Sequence, residues 1–95
     1  MKVTYDPAKR ARTLKKRGLD FEDCGEVFAG PTLDAPDNRR DYGERRVRTF
    51  GLLGDRLVSV VWTPRDDTRR IISMRYANDR EKALYGQLLG EGRQG

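Results

Sequence analysis

Arginines of this chain fall in segments that read as β-strands: Arg45, Arg46 and Arg48 in one, Arg69, Arg70 and Arg75 in another. A solvated charge run usually belongs to a helix face or a tail, and a guanidinium is costly to hold in a small sheet unless something negative waits for it. The pattern points to a sheet face that holds an anion. Period-two alternation puts Glu44, Arg46, Arg48 and Phe50 on one side of the first segment and Arg45, Val47 and Thr49 on the other. With Val47 turned to the core, Glu44, Arg46 and Arg48 share the open side. In the second segment the same alternation groups Arg75 with Ser73 and Ile71, and Arg70 with Ile72 and Met74. Cross-strand Glu-Arg pairs, worth about 0.2–1 kcal/mol each, account for some of these side chains but not for all of them.

The reaction such a face suits is cleavage of an RNA strand by its own 2′-hydroxyl. A base takes the hydroxyl proton, cations stabilise the extra charge on the phosphorane-like transition state, and an acid protonates the leaving 5′-oxygen. Glu44 can serve as the base once desolvation raises its pKa, Arg46 and Arg75 can bind the phosphate bidentately, and Lys16 or Tyr85 can supply the proton. None of these steps requires a metal or another cofactor. With no histidine and one cysteine, Cys24, the chain offers no adequate ligand set for zinc and no Ser-His or Cys-His nucleophile. Glu22, Asp23 and Glu26 read as solvated acids in the first turns of a helix, not as a divalent-ion site. Trp62, Phe50 and Tyr76 read as core rings rather than as platforms for stacked bases.

Ninety-five residues make one domain, and a chain of that size buries only about 60–65% of its unfolded surface. Twenty Lys+Arg against fifteen Asp+Glu give a net charge of +5, which favours polyanionic partners. A lone cysteine and the lack of any apolar run of signal or membrane-spanning length make a cytoplasmic protein the expectation. Direct DNA binding has only the basic charge behind it, because no recognition-helix motif is present.

The elements that must position these groups follow from punctuation and periodicity. Lys2 to Tyr5 reads as a short strand, and Asp6-Pro7 as an N-cap followed by proline at the first helical position. The helix runs to about Arg17 and stops at Gly18, with few apolar positions (Ala8, Ala11, Leu14) and a basic stripe of Lys9, Arg12 and Lys16. Asp20 caps a second helix with Phe21, Cys24, Val27 and Phe28 on its apolar face, and Gly30-Pro31 ends it. Thr32 to Asp41 reads as a loop, with room for a short edge strand at its start. Three strands follow, Glu44 to Leu52, Arg56 to Thr63 and Arg69 to Tyr76, joined as an antiparallel meander by turns at Gly54-Asp55 and Pro64 to Asp67. Asn78 and Glu81 have the spacing of a capping box that opens a last helix, with Leu84 and Leu88 on one side. The domain spans 1–89, and 90–95 reads as a flexible tail. The order β-α-α-β-β-β-α describes an α+β domain whose helices cover one face of an antiparallel sheet and leave the other free.

In order and spacing, Asp6-Pro7-Ala8-Lys9, Lys16-Arg17-Gly18-Leu19-Asp20-Phe21, Glu44-Arg45-Arg46, Arg70-Ile71-Ile72-Ser73-Met74-Arg75-Tyr76-Ala77, Arg80-Glu81 and Tyr85 resemble the BrnT family of toxins. The resemblance spans roughly Val3 to Tyr85. It implies a small RelE-like domain, a type II toxin-antitoxin toxin that cleaves RNA and arrests translation, and a BrnA-like antitoxin that binds the toxin and carries the operator-DNA contact. It also implies catalytic roles for Lys16, Glu44, Arg46, Arg75 and Tyr85, and RNA binding by Lys9, Arg17, Arg48 and Arg70. Family members usually read Lys-His-Gly where this chain has Lys16-Arg17-Gly18, and an asparagine is common where it has Thr13. A guanidinium stays protonated, so Arg17 can bind phosphate but cannot exchange a proton. A homologue that had lost acid-base capacity would act as an antitoxin- or RNA-binding module, and this is the alternative reading.

Overall fold

The structure, a computed structural model, describes residues 2–92. Strand β1 (Lys2–Tyr5) leads into helix α1 (Pro7–Arg17) through Asp6, whose carboxylate accepts from the Ala8 N–H at 2.9 Å. Gly18, at φ 68°, supplies the left-handed residue that ends α1. Asp20 caps a 3₁₀ turn, Phe21–Asp23, which passes directly into α2 (Cys24–Ala29). Strands β2 (Thr32–Pro36), β3 (Val47–Leu53), β4 (Arg56–Arg65) and β5 (Thr68–Tyr76) follow. The C-terminal helix is built from Asp79–Glu81, a π-type segment Lys82–Gly86, and Gln87–Leu89. Among the described residues no helix is long and apolar enough to cross a membrane.

The strands form a five-stranded sheet in the order β1-β5-β4-β3-β2, antiparallel except where β1 joins β5 in parallel. This is the α+β architecture expected, with two additions. The edge strand at Thr32 forms as β2, and the meander begins at Val47 rather than Glu44, so Glu44, Arg45 and Arg46 lie in the approach to β3.

Helices pack on both faces, not on one. Val47, Val58, Val60, Trp62, Ile71 and Met74 meet Leu19, Phe21, Cys24 and Val27 in the larger core. Across the sheet, Phe50 and Leu57 pack against Leu89, with Leu52 and Tyr85 beside them. The cause is the central strand: Leu57 alternates with Val58, so both faces carry apolar surface that needs cover. Leu84 and Leu88, which helical spacing groups on one side, are 53% and 75% exposed. The wider π-type turn re-phases the helix, and Tyr85 and Leu89 face the sheet in their place. Beyond Leu89 the chain stays attached, with Glu91 Oε2 accepting from the Leu57 N–H at 2.7 Å and the Gly92 N–H donating to the Asp55 carbonyl at 2.9 Å. The last part of the expected tail, 93–95, lies outside the described residues.

One irregularity sets the face of every arginine on β5. Val61 pairs with Ser73 but Trp62 pairs with Ile71, leaving Ile72 as the extra residue of a bulge. An inserted residue reverses the alternation beyond it. Ile71 and Met74 therefore both reach the larger core, and Arg70 and Arg75 share the opposite face, whereas strict alternation had separated them. Pairing with β1 stops at Ile71, so the outer edge of β5 has no strand neighbour beyond that point. Arg17 Nη1 donates to the Met74 carbonyl at 2.8 Å and occupies that edge.

Helix α2 lies close to β3 because Gly51 has no side chain. A Cβ there would stand 2.7 Å from Val27 Cγ1 and 3.2 Å from Thr32 Cγ2. Gly51→Ala is expected to cost about 1–3 kcal/mol through overpacking, read as a lower urea midpoint at unchanged m-value.

Candidate functional site

On the face that carries the C-terminal helix, that helix packs over Phe50 and Leu57, and beyond it lies an open surface of partly exposed arginines above the buried Ser59, Val61 and Thr63 of β4. Register places Arg48, Val61 and Ser73 side by side across β3, β4 and β5, with Ser59 and Arg75 in the next row and Thr63 beside Arg70. Directly paired residues point to the same side, so these groups form one surface. Arg48 Nη1 donates to Ser59 Oγ at 3.2 Å. Among the described residues Arg48 has no carboxylate in ion-pair contact. Burial, together with the neighbouring charges of Arg39 and Arg75, lowers its pKa from the ordinary arginine value. An anion would relieve that strain.

Arg75 is held differently. Its Nη1 and Nη2 donate to the two oxygens of Glu81 at 2.7 and 2.9 Å. The same Glu81 carboxylate accepts from the Asn78 N–H at 2.9 Å, while Asn78 Oδ1 accepts from the Glu81 N–H at 2.8 Å. The expected capping box is thus present and also clamps the sheet arginine. Arg39 makes a similar bidentate pair with Asp37, whose side chain is 1% exposed. Asp37 is anchored through its N–H to the Arg46 carbonyl at 2.9 Å.

The residues singled out from sequence fall into three groups. Arg48, Arg70 and Arg75 share the open face, and Tyr85 borders it with its ring 4.8 Å from that of Phe50, one turn beyond Glu81. Lys9, Lys16 and Arg17 line a groove of about 240 Å³ between α1 and β5, together with Arg12, Thr13, Ile72 and Ser73. Glu44 and Arg46 form a third group at the mouth of β3: Glu44 pairs with Arg46 at 3.5 Å and with Arg65 at 3.3 Å, and the Arg46 guanidinium lies 3.9 Å from the Tyr42 ring centroid. Among the described residues no direct contact joins this group to Arg75. Trp62 is a core ring, as expected, with Nε1 donating to Thr49 Oγ1 at 2.8 Å and Thr49 donating on to Asp34 at 2.6 Å.

Sequence reasoning did not single out Asp37, Arg39 or Ser59, and gave Glu81 only its capping role. Asp37 and Arg39 lie in a loop whose composition signals only irregular structure. Ser59 sits inside an apolar run. The alternation that turns it away from Val58 and Val60 was the one available signal.

Electrostatics separate working groups from inert ones. Arg75 and the capping N–H hold Glu81 below the usual carboxylate range, and Arg39 does the same for Asp37. Neither is suited to take a proton at neutral pH. Burial pushes the Cys24 thiol up to about 12, so it has no nucleophilic role.

A family model described as a ribonuclease toxin, BrnT, of type II toxin-antitoxin systems matches residues 5–81. No curated protein matches the chain.

Because Glu81 has a lower pKa folded than unfolded, its contribution is complete above about pH 4.5 and is lost as pH falls through the folded value. Glu81→Gln is expected to cost about 1.5–3 kcal/mol at pH 7 and less at pH 3. Urea denaturation of both proteins at the two pH values checks this; an equal loss at both would show that the charge is irrelevant.

Proposed function

Since the chain belongs to the BrnT family of ribonuclease toxins of type II toxin-antitoxin systems, we propose that it cleaves RNA on the open face of its sheet without a metal ion, and that a BrnA-like antitoxin covers that face. The observation that carries this reading is Arg48: a partly buried guanidinium near Arg39 and Arg75, with a hydroxyl for a neighbour, Asp37 and Glu81 acting on it only at longer range, and no carboxylate in ion-pair contact among the described residues. A phosphate is the group that completes such a site.

The 2′-oxygen attacks phosphorus as its proton leaves, and the bond from phosphorus to the 5′-oxygen breaks as that oxygen gains a proton. Arg48 neutralises the charge that builds on the non-bridging oxygens. Arg75 uses its remaining N–H groups for the same purpose while Glu81 fixes its plane. Arg46 and Arg70 extend the positive field along the strand. Glu44 is the carboxylate for the base role, since its ion pairs are longer than those of Glu81. Tyr85, which borders this face, delivers the proton to the 5′-oxygen. Without a titrating imidazole, transition-state electrostatics dominate the rate, and translation falls because messenger RNA is cut. Operator DNA is reached only through the antitoxin.

A second reading has its own support. Arg17, at the position where the family pattern has histidine, is committed to the Met74 carbonyl. The chain would then bind RNA or antitoxin with little turnover.

Purified protein incubated with RNA in excess EDTA separates the two: cleavage supports the ribonuclease, and intact RNA with folded protein favours the binding module. Arg48→Ala is expected to lower the cleavage rate by about 10²–10³ at unchanged stability. Arg75→Ala should lower both, because it also releases Glu81. Full activity of Arg48→Ala would remove Arg48 from the site.

A further inference from the structure

The groove between α1 and β5 is lined by four cations, Lys9, Arg12, Lys16 and Arg17, with Thr13, Ile72 and Ser73, and no carboxylate is among its lining residues. Lys9, Arg12 and Lys16 stand at spacings of three and four on one helix stripe, where like charges destabilise a helix by about 0.2–0.5 kcal/mol per pair. None of the three makes an ion pair among the described residues, unlike Arg10 on the same helix, which pairs with Asp20 at 2.7 Å. Ser73 connects the groove to the open face, because it stands in the same row as Val61 and Arg48 and on the same side of β5 as Arg75. The groove therefore borders the face that carries Arg48 and Arg75.

Resting on the ribonuclease reading above, we propose that this groove is a second phosphate-binding site, which holds the backbone of the RNA on one side of the scissile phosphate. The stripe from Lys9 to Lys16 is about 10 Å long at 1.5 Å per residue. That length accepts a short run of successive phosphates of a single strand. Lysine and arginine ends with no fixed partner follow a flexible backbone without reading bases, so the site adds affinity for longer RNA and no sequence preference. Arg17 contributes its charge while its Nη1 stays on the Met74 carbonyl.

The test uses 2′-O-methyl oligonucleotides of two and six nucleotides, which cannot be cleaved because the attacking hydroxyl is blocked. Lys9→Ala/Arg12→Ala is expected to weaken hexanucleotide binding by roughly 10–30-fold at about 0.1 M salt, and to make the salt dependence shallower by about 0.7 for each lost contact. Its effect on the dinucleotide should be several-fold smaller. Lys15→Ala, which removes a charge from α1 outside the groove, should leave the hexanucleotide slope nearly intact. Equal losses for both lengths, or an equal effect from Lys15, would overturn the second site. So would unchanged oligonucleotide binding combined with loss of the antitoxin, which would assign the groove to a protein. Wild-type protein that binds neither oligonucleotide would count against the ribonuclease reading itself.

Discussion

The carboxylate of Glu81 holds together parts of the molecule that would otherwise be independent. One oxygen closes the capping box that starts the C-terminal helix, and both oxygens receive the guanidinium of Arg75 from the sheet. Helix position and arginine geometry are therefore a single constraint. The helix places Leu89 and Tyr85 over Phe50 and Leu57, and those contacts keep the Glu81 carboxylate where Arg75 needs it. A short helix with an irregular middle would be marginal alone. Here its first turn is tied to the sheet by charge-assisted bonds and its last turn by the second core.

The open face is a consequence of how little apolar surface the chain has. Two small clusters must share one sheet: α2 packs on one side, and the C-terminal helix packs on the other over Phe50 and Leu57. The rest of that side is where β3 and β5 carry Arg48, Arg70 and Arg75, with Ser59 and Thr63 of β4 buried between the strands. Because the sheet supplies the backbone pairing, these side chains stand on a rigid support, and Arg48 is held there with no carboxylate in ion-pair contact among the described residues. The arginines with bidentate carboxylate partners border it, so the surface contains paired cations beside one held by a hydroxyl.

Much of the fold was legible because its signals are local. Asp6-Pro7, Gly18, Asp20 and the Asn78–Glu81 spacing each act over a few residues, and each is seen where expected. The placement of Trp62 in the core followed from the apolar character of its strand. What could not be read was relative phase. A single inserted residue at Ile72 moved Arg70 to the face of Arg75, and a π-type turn moved Leu84 and Leu88 outward; neither leaves a mark in composition. The partner of Arg75 was equally hidden, since Glu81 looked like a helix cap and nothing else. Glu44 and Arg46 were read as strand residues because alternation extends naturally from Val47, but β2 and β4 offer no pairing that would carry β3 that far.

The chain contains one tryptophan, and its surroundings give it an optical use. Trp62 is enclosed in the larger core with its N–H relayed through Thr49 to Asp34 on the edge strand. Tyr85 and the C-terminal helix lie on the opposite side of the sheet. Indole emission thus reports the opening of the sheet and α2, while detachment of the helix passes almost unseen by it. Ellipticity at far-ultraviolet wavelengths registers both, so a gap between the two signals would reveal whether the helix can peel away before the sheet opens.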